Sequence, residues 1–106
     1  MYKNKYSAIK QTYNGTSYHS KKEAQYAFQL DMLVKAGEIK GWTGQHKIEL
    51  YVEGKKICNH FVDFEVTLMD GTKEWHEVKG FATDVWILKR KLVEALFPYT
   101  KYKVIR

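Results

Sequence analysis

Val62-Asp63-Phe64-Glu65-Val66-Thr67-Leu68-Met69-Asp70-Gly71-Thr72-Lys73-Glu74-Trp75-His76-Glu77-Val78-Lys79 consists of two alternating segments around an Asp-Gly pair. β-Branched and aromatic residues suit a pleated, half-buried surface, and Asp-Gly tolerates the backbone of a tight reversal. The stretch therefore reads as a β-hairpin. On its first strand Val62, Phe64, Val66 and Leu68 form an apolar face, so Asp63 points the other way. On its second strand Glu77 and Lys79 are two apart and share one face.

The turn decides whether Asp63 meets Glu77. A two-residue Asp70-Gly71 loop pairs Met69 with Thr72, sets Asp63 opposite Val78 and sends the two carboxylates to opposite faces. A three-residue Met69-Asp70-Gly71 loop, with Gly71 left-handed, pairs Leu68 with Thr72 and brings Asp63 opposite Glu77. Alternation favours the second, because Val62, Phe64, Val66 and Val78 then make one continuous apolar surface. In that register the two carboxylates start from β-carbons about 5 Å apart. Like charges at that separation repel, and a hard divalent cation such as Mg²⁺, which accepts few protein carboxylates and keeps several waters, relieves the repulsion. Lys79 on the same face could hold an attacking water or offset charge on a phosphorane-like transition state. Alone, Glu-x-Lys is a common pair of solvated strand charges; Asp63 in register gives it chemical meaning.

Outward from the hairpin the elements fall in a simple order. Trp42 to Val52 alternates as a strand, Glu53-Gly54 turns, and Lys56 to Leu68 returns, so Lys73 to Lys79 completes a three-stranded meander. Upstream, Asn14-Gly15 marks a short hairpin within Ala8 to His19. From Lys21 to about Ala36, Ala24, Ala27, Phe28, Leu30, Leu33 and Val34 form a helical stripe, capped by Ser20 and stopped by Gly37. Downstream, Val85, Leu88, Leu92 and Leu96 make one face of a helix over Asp84 to Phe97, with Pro98 after its end. Lys101 to Arg106 alternates as a last strand. The fold class is α/β, a mixed sheet flanked by helices.

Glu23 fits two roles. Ser20-Lys21-Lys22-Glu23 has the spacing of a capping box, in which Glu23 bonds back to the Ser20 amide. Equally, a carboxylate on the first helix can join Asp63 and Glu77. The two roles separate by experiment, since capping affects stability and metal binding affects activity.

The chain has 106 residues, which suits one domain, and 18 Lys and Arg against 12 Asp and Glu give a formal charge of +6. Such a balance suits a polyanionic partner, because each neutralised phosphate releases a condensed counterion. A composition of 44% hydrophobic and 28% charged residues is that of a soluble globular chain. No apolar run is long enough for a membrane span, and Met1-Tyr2-Lys3-Asn4-Lys5 does not open a secretory signal. The single cysteine, Cys58, rules out an internal disulfide framework. Cys58, His60 and His76 suggest zinc, but structural zinc takes four ligands, often in paired spacings. His60 with Asp63 lacks any nucleophile signature. Trp42, Trp75 and Trp86 read as core or sheet-edge residues; Trp75 shares the face of Glu77 and offers a ring to an unpaired base. Gln45, on the neighbouring strand, approaches the site.

A helix-borne carboxylate, an aspartate on a strand and Glu-x-Lys on the next strand resemble the PD-(D/E)XK, restriction-endonuclease-like nuclease superfamily. Glu77-Val78-Lys79-Gly80 followed by Leu88-Lys89-Arg90-Lys91-Leu92 is similar to a small phage and prophage family within it. So is the opening, from Lys5-Tyr6 through Ser20-Lys21-Lys22-Glu23-Ala24 to Ala36-Gly37-Glu38-Ile39. The resemblance implies a restriction-endonuclease-like fold over residues 1–106, and the basic composition of the start reads as an arm at 1–7. It also implies Mg²⁺-dependent hydrolysis of DNA phosphodiesters leaving a 5′-phosphate, with Mn²⁺ as substitute. Carried over by position, Asp63 and Glu77 are metal ligands with Glu23 and the Val78 backbone carbonyl, and Lys79 is the catalytic lysine. Lys21, Lys22, Lys89 and Lys91 would contact DNA. The expected substrate is branched DNA such as a Holliday junction, or duplex, cut by a homodimer in the cytoplasm of a phage-infected or prophage-carrying bacterium. One departure is Val62, where the superfamily has proline. The alternative is a non-catalytic nucleic-acid-binding module or phage accessory protein on the same fold.

Overall fold

A computed structural model describes residues 11–106, so the arm expected at 1–7 lies outside the described residues. The elements run β1 (Gln11–Tyr13), β2 (Thr16–Tyr18), α1 (Lys21–Lys35), β3 (Ile39–Val52), β4 (Lys55–Leu68), β5 (Lys73–Val78), α2 (Asp84–Leu96) and β6 (Lys101–Ile105). β1 and β2 form a separate hairpin, and the main sheet has the order β3-β4-β5-β6. Its first two pairings are antiparallel and the last, across α2, is parallel, which makes the sheet mixed. Among the described residues no helix is long and apolar enough to cross a membrane.

The three-residue turn is the one that forms. Leu68 N–H bonds to Thr72 C=O, Gly71 N–H bonds to Leu68 C=O, and Gly71 takes φ 90°. The ladder then pairs Thr67 with Lys73 and Phe64 with His76. Asp70 accepts from the Thr72 amide and hydroxyl, which fixes the loop from within.

The helices cover opposite faces. α1 packs Ala24, Ala27 and Leu30 on Phe64, Val66 and Ile39, while Val93 of α2 packs with Trp75, Val62, Ile48 and Leu50. This corrects the single apolar surface expected of Val62, Phe64 and Val66. Val62 and Phe64 are two apart on β4, yet they belong to different cores. The alternation of β4 therefore changes phase at Asp63. Between the rungs Gly44–Phe64 and His46–Val62, Gln45 adopts φ 50°, a left-handed backbone uncommon outside glycine. β3 also shifts register between Ile39 and Gly41 and between Leu50 and Tyr51.

Both helix faces differ from the periodicity. On α1 the buried stripe is Glu23, Ala24, Ala27 and Leu30, leaving Phe28, Leu33 and Val34 exposed. On α2 Trp86 and Val93 are buried, whereas Val85 and Leu88 are exposed at 64% and 68%. The rotation of α2 has a polar cause, because Trp86 turns inward to hydrogen-bond Glu77. Thr83 caps α2 by accepting from the Trp86 amide.

Candidate active site

Asp63 lies where β4 leaves β5. Its carboxylate takes over the next rung of the ladder, with Oδ2 accepting from the Val78 amide at 2.8 Å. That bond ties the aspartate to the centre of Glu77-Val78-Lys79. Glu77 is 4% exposed, and its Oε2 accepts from Trp86 Nε1 and, at 3.3 Å, from the Tyr102 hydroxyl. The Tyr102 hydroxyl also meets His60 Nε2 at 2.8 Å. Burial, then the Lys89 and Lys79 charges, hold His60 down at about 4, so its ring is neutral at physiological pH.

Glu23 performs half of the capping box. Its amide donates to Ser20 Oγ at 3.1 Å. Its carboxylate, instead of closing back on the Ser20 amide, accepts from Gln45 Nε2 at 3.3 Å and faces the His19 backbone amide. The residue is 5% exposed and lies on the sheet side of α1. The left-handed backbone at Gln45 accompanies this contact, a strained position beside a polar cluster.

The three carboxylates form one electrostatic unit. Burial, followed by repulsion from Asp63, pushes Glu23 up to about 7. The same two causes in the same order push Glu77 up to about 7. Asp63 is raised by burial, against the opposing pull of the Val78 amide and of Lys79. Without a counter-cation the unit retains protons at neutral pH.

A cleft of ≈ 320 Å³ opens onto it, lined by Asp63, Glu77, Val78, Lys79 and Lys89 with His60, Phe61 and Trp86. Asp63, Gln45 and His19 also line a hollow of ≈ 630 Å³ on the other side, toward β2 and Glu23. Lys79 Nζ sits 5.2 Å from the centre of the Trp86 ring, a cation–π contact that steers the ammonium. Lys89 Nζ donates to the Asn59 carbonyl at 3.2 Å.

The family described as protein of unknown function DUF1064 matches residues 3–106. The chain belongs to the DUF1064 family. Neither the curated proteins nor the solved structures contain a match to it.

In this DUF1064 chain, Glu23, Asp63, Glu77, Val78 and Lys79 gather around one region, as does Gln45. Lys89 joins the cleft, but Lys91 lines a separate apolar groove, and Lys21 and Lys22 are exposed at the start of α1. Trp75 is not available to a base: it is 7% exposed, edge-on to Phe97 and bonded to Glu65. His76 binds Tyr26 and Glu74 on the α1 side, away from Cys58 and His60, so no zinc arrangement forms from these residues. Among the described residues no three His, Cys, Asp or Glu side chains close on one metal position. A Mg²⁺ ion held mostly by water needs only two carboxylates. Asp63 and Glu77 are the two that could hold such an ion, each with one oxygen anchored by a protein donor.

Trp86 and Tyr102, which hold Glu77, were missed as site residues by sequence reasoning. Tyr102 was legible as an alternating residue of the last strand. Trp86 was masked by the leucine-rich face, of which Leu92 and Leu96 pack against the core while Val85 and Leu88 are exposed.

Proposed function

We propose that this DUF1064 protein is a Mg²⁺-dependent DNA endonuclease of restriction-endonuclease-like fold. The observation that carries the reading is the hydrogen bond from the Val78 amide to Asp63. It draws Asp63 to Glu77-x-Lys79 at the mouth of a cleft that also holds Lys89. The antiparallel β3-β4-β5 meander, the α2 crossover and the parallel β6 are consistent with the superfamily's order of elements.

Asp63 and Glu77, with Glu23 and the Val78 carbonyl beside them, are the groups that would hold the ion. When bound, Mg²⁺ supplies positive charge that removes the carboxylate repulsion and polarises the scissile phosphate. The chain's own residues do the rest. Trp86 and Tyr102 lock Glu77 in one rotamer, and the Val78 amide locks Asp63, so neither carboxylate must be ordered when DNA arrives. Lys79, aligned over the Trp86 ring, orients the attacking water and offsets the charge that develops on the phosphoryl oxygens. Lys89 helps to seat the DNA backbone in the cleft. The substrate class is branched or duplex DNA, with a homodimer supplying paired cuts in a phage or prophage setting.

A non-catalytic nucleic-acid module is the rival reading. The lack of a three-ligand metal group among the described residues favours it.

The deciding assay incubates the full chain with branched and linear DNA in Mg²⁺ or EDTA. Nicking only in Mg²⁺, abolished by Lys79→Ala with DNA binding retained, is the expected result. Cutting that Lys79→Ala leaves unchanged, or no cutting of any DNA, overturns the proposal.

A further inference from the structure

Among the phenyl, phenol and indole rings at the cleft, that of Phe61 remains available. It stands two residues before Asp63 on β4, past the last β4–β5 rung at Phe64, and is 53% exposed. It belongs to neither buried cluster, yet it lines the same cleft as Asp63, Glu77, Lys79 and Lys89. The neighbouring rings are committed elsewhere. Trp86 is bonded to Glu77 beneath Lys79, and Tyr102 bridges Glu77 to His60.

An exposed phenyl ring beside two lysines and a carboxylate pair presents two kinds of recognition side by side. The cations suit a phosphate, and the ring suits a flat apolar face adjoining that phosphate. Inside a continuous duplex the base faces are closed by their neighbours. An unpaired nucleotide exposes its face, and stacking on an aromatic side chain tolerates any base.

We infer that Phe61 is a stacking platform that selects DNA carrying an unpaired nucleotide next to the phosphate held in the cleft. The inference rests on the nuclease reading and names its substrate class. It replaces Trp75, which the fold buries, as the residue that meets a base.

The experiment measures equilibrium binding of the full chain in EDTA to two DNAs of one sequence. One is fully paired and the other carries a short unpaired gap containing 2-aminopurine, whose fluorescence falls on stacking. The wild-type chain is expected to quench the probe and prefer the gapped DNA. Phe61→Ala is expected to lose the quench and about 5- to 150-fold in gapped-DNA affinity while duplex binding is unchanged. Phe61→Trp is expected to retain both. Equal losses on the two DNAs, no quench by the wild type, or wild-type behaviour from Phe61→Leu, which keeps apolar bulk without a ring, overturns the inference. Mg²⁺-dependent cutting that ignores Phe61 sinks this inference and leaves the nuclease reading standing. Gap preference and quench without any cutting support the platform and sink the nuclease reading.

Discussion

Replacing Glu77 by Gln should stabilise the protein, and by an amount that depends on pH. Glu77 is almost fully buried beside Asp63 and is pushed up from 4.5 to about 7. A carboxyl whose folded value is raised contributes stability that is complete below its unfolded value and is lost as pH rises through the folded value. A shift of this size corresponds to about 3 kcal/mol at neutral pH and above. Gln cannot ionise, and its amide oxygen can still accept from Trp86. The variant should therefore match the wild type near pH 4 and pull ahead between pH 4.5 and 7, the window set by the unfolded and folded values. For a domain of this size each kcal/mol moves Tm by about 4–8 °C, so a gain of about 12–24 °C is expected at pH 8 in EDTA. His60 and His76, both lowered, act in the opposite direction, losing stability as pH falls, but they do so in both proteins and cancel in the difference. The assay is thermal denaturation followed by circular dichroism across pH 4 to 8. A constant Tm offset at every pH, or a variant less stable than the wild type at pH 8, refutes the reasoning. Saturating Mg²⁺ should raise the wild-type Tm and leave the variant where it was, because an ion that binds only the folded state stabilises by mass action.

Three further substitutions address the remaining residues. Glu23→Gln should keep Tm equal or higher and reduce DNA cleavage, whereas Ser20→Ala should cost about 1 kcal/mol through the lost cap and spare cleavage below melting; melting and turnover on the same preparations check both. Gly71→Ala, forced into φ 90°, should cost about 1–2 kcal/mol in urea unfolding.

The hairpin was legible from Phe64 to His76 through its turn, whereas the expected rungs of Asp63 with Glu77 and of Val62 with Val78 do not form. A three-residue Asp-Gly turn was the one consistent with Phe64 opposite His76, and that rung forms. The order of elements was legible from Gly37, Gly54 and Gly71, all of which take positive φ where turns were expected. What sequence could not show was the phase change at Asp63. Period-2 reasoning assumes that a strand keeps one face to one core, and here a single strand serves two helices on opposite sides. The exposed leucine and valine of α2 misled for a related reason. Periodicity ranks apolar residues, and it does not register that an indole N–H can be drawn inward by a buried carboxylate. Glu23 illustrates the limit of motif spacing: Ser20 caps as expected, but the glutamate's oxygens turn to a neighbouring strand that no local pattern names.

β3 is the outermost strand on its side of the sheet and runs for 14 residues. An outer strand of that length would ordinarily offer an unbroken row of amides and carbonyls to any passing chain. Irregularities at Lys40 and Gln45 interrupt that row in its first half. The irregular backbone that brings an amide to Glu23 thus also makes a poor template for intermolecular zippering, guarding the protein against fibrous self-assembly.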